Sequence, residues 1–311
     1  MTTAAKVLRV NAASIDFQNP LLLAAGTAAY GRELAGVIDV DSLGGIVTKA
    51  VSPEPRKGAP APRVAEFDGG MINAVGLANP GLDAVRAEDI PWLEKNVHDA
   101  RVIVNVIGNV LEDFATVVEG LTSFGRVDAF ELNVSCPNTK AGGMEFGADP
   151  SILSALIKRA RGVTSKPLFV KLSPTLSSIA DTARLAVDSG ADGLTLVNTI
   201  PGLVIDVESR KPALGFGSGG VSGPAILPVG VLAVWKASRA VTVPLVGVGG
   251  VTKGTDAIQY LMAGASLVAM GTAAMRDPRA PARVLSEMQA WLDRHRINSV
   301  NEIVGSLEWQ S

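Results

Sequence analysis

A chain of 311 residues with 28 basic and 30 acidic side chains carries a net charge of −2, so it has no charge excess for gripping a nucleic acid or an anionic membrane surface. Its composition is globular, 47% hydrophobic and 19% charged, and no window approaches the ~18 consecutive apolar residues of a spanning helix. A single cysteine excludes an internal disulfide, a cysteine-ligated zinc site and an iron–sulfur cluster within the chain.

Together with an N-terminus, Met1 to Val10, that lacks the apolar core of a signal peptide, the lone thiol predicts a reducing, cytoplasmic compartment. Leu8 to Phe17 alternates weakly and predicts a short hairpin ahead of the main fold. Leu21 to Ala25 is a short apolar run ended by Gly26-Thr27, and Gly45 to Thr48 is a second, ended by Lys49. Ser52 to Gly81 is proline-rich and shows no clear periodicity; a connection this long is expected to be functional. Val102 to Asn105 is a third strand, followed by a helix over Leu111 to Phe124. Ala129 to Asn133 is the fourth strand, and Pro150 to Val163 is a helix with Ile152, Leu153, Leu156 and Ile157 on one face. Leu168 to Leu172, Gly193 to Val197, Leu245 to Val248 and Ser266 to Met270 complete the strands. The helices after them span Ser177 to Ser189, Ile226 to Ser238, Thr255 to Ala263 and Ala282 to Arg294, with a glycine-rich loop over Pro201 to Gly223.

Eight short buried strands, most followed by an amphipathic helix, predict an α/β chain with an all-parallel sheet covered on its outer face. Eight is the number that closes into a (β/α)8 TIM barrel, here with a short N-terminal hairpin and long strand-end loops. A doubly wound open sheet is the alternative. No linker or composition break divides the chain, so residues 1–311 are expected to form one domain.

In such a barrel the chemistry lies at the C-terminal strand ends. Those ends read Thr27, Lys49, Asn105, Asn133 with Cys136, Lys171, Asn198-Thr199, Gly249-Gly250 and Gly271-Thr272. Any one of these could be a cap or a snorkelling side chain. Two lysines and three asparagines together favour a polar pocket, because each leaves donors in need of partners. The glycine pairs, with Gly219 to Gly223, would present backbone N–H groups to a phosphate. A lone cysteine is more often a small apolar core residue. Here Asn133, Pro137, Asn138 and the glycine-rich stretch that follows favour a thiol placed for chemistry. Gly215-Phe216-Gly217-Ser218-Gly219-Gly220 fits a dinucleotide fingerprint but follows no first strand of a βαβ unit, so NAD is not expected on this chain. His98 and His295 show no metal-ligand spacing; both are expected at the surface, and no metal site is expected.

Asn133-Val134-Ser135-Cys136-Pro137-Asn138, Asn73-Ala74-Val75-Gly76-Leu77 with Asn79-Pro80-Gly81, Val47-Thr48-Lys49-Ala50, Lys171-Leu172-Ser173-Pro174, Asn198-Thr199, Gly249-Gly250 and Gly271-Thr272 resemble class 1 dihydroorotate dehydrogenases. The resemblance runs from Leu21 to the closing helix with the motifs in the family's order. The cysteine marks class 1. Gly142-Gly143-Met144-Glu145-Phe146-Gly147 is similar to subclass 1B, the catalytic subunit of an NAD-dependent complex whose partner carries FAD and a 2Fe-2S cluster.

The resemblance implies one FMN per chain at the barrel mouth, its phosphate at Gly223, Gly249, Gly250, Gly271 and Thr272. Ala25, Gly26, Lys49, Ala50, Asn105, Asn133, Lys171 and Val197 would line the rest of it, with Lys171 near the pyrimidine edge. Dihydroorotate would be held by Lys49, Asn73, Asn133, Asn198 and Thr199 and by the segment Ala74-Val75-Gly76-Leu77. Cys136 would take the C5 proton while hydride passes from C6 to flavin N5, under a lid formed by Thr139 to Gly147. Electrons would pass to the electron-transfer subunit, because this chain cannot ligate a cluster, and the assembly would be a homodimer core within a heterotetramer. Where the family often has serine before the Gly26 turn this chain has Ala25, so a contact there would use backbone. A fumarate-dependent 1A-like enzyme, another FMN barrel oxidoreductase of dihydropyrimidine or dihydrouridine type, and a non-catalytic barrel are the alternatives.

Overall fold

Short apolar runs fold as strands buried on both faces: β1 Leu21–Leu23, β2 Gly45–Val47, β3 Arg101–Val106, β4 Ala129–Asn133, β5 Leu168–Leu172, β6 Gly193–Leu196, β7 Leu245–Val248 and β8 Leu267–Met270. The structure, a computed structural model, describes residues 7–135, 137–138 and 144–309. Each strand pairs in parallel with the next, and β8 returns to β1 through Met270 opposite Leu23, so the sheet closes into a barrel and the open doubly wound alternative is excluded. The helices are α1 Ile90–Asn96, α2 Leu111–Thr122, α3 Pro150–Arg161, α4 Ile179–Asp188, α5 Leu227–Ser238, α6 Gly254–Met262 and α7 Ala280–Arg294. Outward strand residues such as Val104, Leu132 and Val170 and helix residues such as Leu153, Leu156 and Ile157 are fully buried in one continuous core.

The sequence starts these helices with recognisable chemistry. Asp149 accepts the N–H groups of Ser151 and Ile152 at 2.8 and 3.1 Å ahead of α3, and Pro150 needs no acceptor there. α2 and α6 begin on Val110 and Lys253, poor caps, and instead use an acid one turn in. Asp113 takes the N–H of Asn109 at 2.6 Å, and Asp256 takes that of Thr252 at 2.9 Å.

The predicted hairpin is present, Val10–Ala12 against Ile15–Phe17, with Ala13 and Ser14 at φ 51° and 62° in the turn. Arg101, at the start of β3, donates from Nε to the Asp16 carbonyl at 2.8 Å, which places the hairpin at the N-terminal end of the barrel.

The structure corrects the two stretches read as loops. Val64–Phe67 and Gly70–Asn73 form a hairpin, Gly219–Ser222 pairs with the second of these strands, and Ile200–Gly202 closes a four-stranded antiparallel sheet. The partners lie about 150 positions apart, as in Ile72 opposite Val221, so no local periodicity announces them. Glycine is required in this sheet: a Cβ on Gly219 would lie 2.5 Å from the Asn73 carbonyl oxygen. Leu82 to Asn96 is also helical, in three pieces, with Val85–Asp89 wound as a π-helix ahead of Pro91. The wider turn accommodates a proline ring that would strike a carbonyl in a regular helix.

Among the described residues no helix is long and apolar enough to cross a membrane.

Candidate functional site

Register decides which strand residues face the barrel axis. Asn105 lies beside Glu131, and Asn133 beside Lys171, so all four share the inward face at successive levels. At the C-terminal mouth that face opens into a cavity of about 490 Å³, roofed by the four-stranded sheet through Val64, Met71 and Asn73.

The structure brings most of the predicted residues together. Lys49, Asn73, Val75, Leu77, Asn133, Asn198 and Thr199 line the cavity, as do Ala25, Gly26, Ala50, Asn105, Lys171, Val197, Gly223, Gly249, Gly250, Gly271 and Thr272. Ala74 and Gly76 do not. The Ala74 N–H is tied to the Arg63 carbonyl at 2.8 Å, and Gly76, at φ 69°, packs against the backbone of Ala59. Cys136 lies outside the described residues, as do Thr139 to Gly143 of the predicted lid. The lid's flanks pair as a two-rung ladder, Asn138 opposite Met144 and Pro137 opposite Glu145. Asn79, within one of the motifs, is structural: its amide bridges Ser52 Oγ at 2.8 Å and the Gly81 N–H at 2.9 Å. His98 and His295 are exposed, far from any metal geometry; among the described residues no cluster could hold a metal ion.

Sequence reasoning passed over Ala24, Val64, Met71, Ser135, Ile226, Val248 and Met275. Ala24 and Val248 have the inward parity of their strands and were findable from alternation. Val64, Met71 and Met275 reach the cavity only because the upper sheet and the short helix Thr272–Arg276 fold over it.

The chemistry of the lining is one-sided. Among the described residues it contains two lysines and no carboxylate. Lys171 is 8% exposed, and neither its ammonium nor that of Lys49 makes a hydrogen bond or ion pair among the described residues. A buried cation without a partner is costly, so the cavity favours anions.

At one end Gly223, Gly249 and Gly250 have φ of 100°, 127° and 76°, a region that strongly favours glycine. A Cβ on Gly250 would lie 2.6 Å from the Leu227 nitrogen. The N–H groups of Gly223, Gly250 and Thr272 have no acceptor among the described residues, which suits a phosphate. Thr272 Oγ1 bonds Ser222 Oγ at 2.9 Å and so ties β8 to the upper sheet around this cradle.

At the other end amides dominate. Asn198 Nδ2 donates to Asn133 Oδ1 at 3.3 Å, Asn198 Oδ1 accepts the Thr199 N–H at 2.8 Å, and Asn73 Nδ2 donates to the Gly220 carbonyl at 3.2 Å. The oxygens Asn105 Oδ1 and Ser135 Oγ are buried without partners among the described residues. Ala24, Val197, Ile226 and Val248 add apolar surface to the lining, against which a flat ring can lie. The cavity can therefore hold a phosphate at the glycine turns and polar heterocycles against the amides and lysines.

Comparison with known proteins agrees with this geometry. Residues 7–292 match the family Dihydroorotate dehydrogenase. The chain is 44% identical over 301 residues to the dihydroorotate dehydrogenase B (NAD(+)) catalytic subunit of Pelobacter propionicus, covering 97% of this chain and 98% of that protein. It is 44% identical over 300 residues to the protein of that name from Alkaliphilus metalliredigens, covering 96% and 98%. The relative from Geobacter sp. strain M21 is 43% identical over 301 residues, covering 97% and 98%. A match that spans the barrel, its roof and every strand end that lines the cavity leaves no part of the site to another fold, and the chain belongs to the dihydroorotate dehydrogenase family.

Proposed function

We propose that this chain is the catalytic subunit of an NAD-dependent dihydroorotate dehydrogenase, oxidising (S)-dihydroorotate to orotate in pyrimidine biosynthesis with FMN as its cofactor. The observation that carries the reading is the lining itself: among the described residues it has two uncompensated lysines and no acid, beside a glycine cradle whose N–H groups have no acceptor. Both the FMN phosphate and the dihydroorotate carboxylate are anions, and the residues present fit both. FMN, when bound, supplies the hydride acceptor.

This chain's own residues do the rest. Gly223, Gly250 and Thr272 would receive the phosphate on their N–H groups. Lys171, inward on β5, would place a positive charge beside the ring system, where it favours developing negative charge. Asn73, Asn133 and Asn198 would match the N–H and C=O groups of the substrate ring, because each amide offers both a donor and an acceptor. Lys49 would meet the carboxylate. Cys136 would remove the C5 proton, and the segment from Thr139 to Gly147 would be the lid that excludes water. Electrons would leave through a partner subunit with FAD and a 2Fe-2S cluster to NAD+, within a cytoplasmic heterotetramer built on a homodimer core.

Anaerobic mixing of the purified yellow protein with dihydroorotate, followed by flavin absorbance, tests the reading. Wild type should bleach rapidly, and Cys136→Ala should bleach about a hundredfold more slowly or worse. Equal rates would remove Cys136 from its role, and no bleaching in either would remove dihydroorotate as the substrate.

A further inference from the structure

Among the described residues Glu131 is the only acid on a barrel strand, and it is 2% exposed on the inward face of β4. It forms no ion pair there, and its side chain has one hydrogen-bond partner. Burying a carboxyl group on such terms is costly, and a leucine or valine, as at the neighbouring core positions, would serve the barrel better. The partner gives the reason for its presence. Asn105, in register on β3 and 1% exposed, donates from Nδ2 to Glu131 Oε1 at 2.7 Å. Its own N–H is bound to Thr48 Oγ1 at 3.2 Å. An amide is planar, so fixing Nδ2 fixes Oδ1 on the other side. The flipped amide would set an oxygen against the carboxyl oxygen. Asn105 Oδ1 is buried, has no partner, and belongs to a side chain that lines the cavity.

We propose that Glu131 is a positioning residue, which orients Asn105 so that Oδ1 is a fixed acceptor for an N–H or O–H group of the bound flavin. The inference rests on the FMN reading above and adds to it a residue that touches neither cofactor nor substrate. Its role lies in the direction of one hydrogen bond, so exchanging that direction is the test.

FMN is titrated into the flavin-stripped full chain, and the dissociation constant is read from quenching of flavin fluorescence, with thermal unfolding of each variant as a control for folding. Asn105→Asp should weaken binding about tenfold or more, because two carboxyl groups then face each other. Adding Glu131→Gln to Asn105→Asp should return affinity to within about threefold of wild type, because the glutamine amide donates to the aspartate and leaves its other oxygen as the acceptor. Glu131→Met alone should weaken binding about tenfold. A Glu131→Met protein with wild-type affinity, or an Asn105→Asp protein that Glu131→Gln does not rescue, overturns the inference and leaves the FMN reading intact. A wild-type chain that binds no FMN overturns both.

Discussion

Tyr260 shows how a single side chain shapes the glycine cradle. It is fully buried on α6, and its hydroxyl donates to the Gly249 carbonyl at 2.8 Å, which turns that carbonyl away and leaves the next N–H, on Gly250, facing the cavity. Burial, reinforced by the charge of Asp256, raises the phenol pKa, so the hydroxyl remains a donor throughout the physiological range. Two glycines that look unfavourable in their elements are explained by it. A Cβ on Gly230, inside α5, would strike the Tyr260 hydroxyl, and one on Gly247, inside β7, would strike its ring. Gly230→Ala should therefore destabilise the protein by about 1–3 kcal/mol. In a Tyr260→Phe background the same change should cost less, since the atom it strikes is gone. Urea unfolding of the four proteins measures both values, and equal costs in the two backgrounds would refute the account.

Among the elements, the entry into β3 depends on one carboxylate. Asp41 accepts the N–H groups of His98, Asp99 and Ala100 at 2.9 to 3.1 Å and so holds the turn between α1 and β3, the strand that carries Asn105. Partial burial pushes its pKa up, but the three backbone donors outweigh this and the net shift is downward. A carboxyl whose folded pKa is depressed adds stability above the unfolded value of about 3.9, and that stability is lost as pH falls through the lower folded value. Asp41→Asn should cost about 1–3 kcal/mol at neutral pH. The difference from wild type should shrink progressively below about pH 4. A difference constant from pH 7 to pH 3 would show that the charge of Asp41 is not what the turn uses. The element that sequence reading lost was the roof. Its strands are four residues or fewer, rich in glycine, and paired across most of the chain, so their hydrogen bonds could not be inferred from neighbours.

For the whole molecule, the proposed division of labour has a direct consequence. If the route to NAD+ runs through a second subunit, the isolated chain should oxidise dihydroorotate with an artificial dye as acceptor and show no NAD reduction. Steady-state assays of the single purified chain with each acceptor decide this, and NAD reduction by the chain alone would overturn it. The fingerprint-like run from Gly215 to Gly220 supports the expected outcome. Gly219 and Gly220 lie in the upper sheet, opposite Gly202 and Pro201, and open no helix toward a pyrophosphate.

The barrel and most of its mouth were legible in the residues alone. Eight buried runs have one economical way to hide both faces, and polar residues at strand ends have one place to go. Their positions at the C-terminal ends of the apolar runs put Asn105, Asn133 and Lys171 at that mouth. The remaining features depend on contacts between distant segments. The roof from residues 64–73 and 200–222 exists because two loops pair with each other. The exclusion of Ala74 and Gly76 from the lining follows from their packing on Arg63 and Ala59. The partnership of Glu131 with Asn105 depends on strand register, which a one-residue slip would abolish and which no single strand encodes.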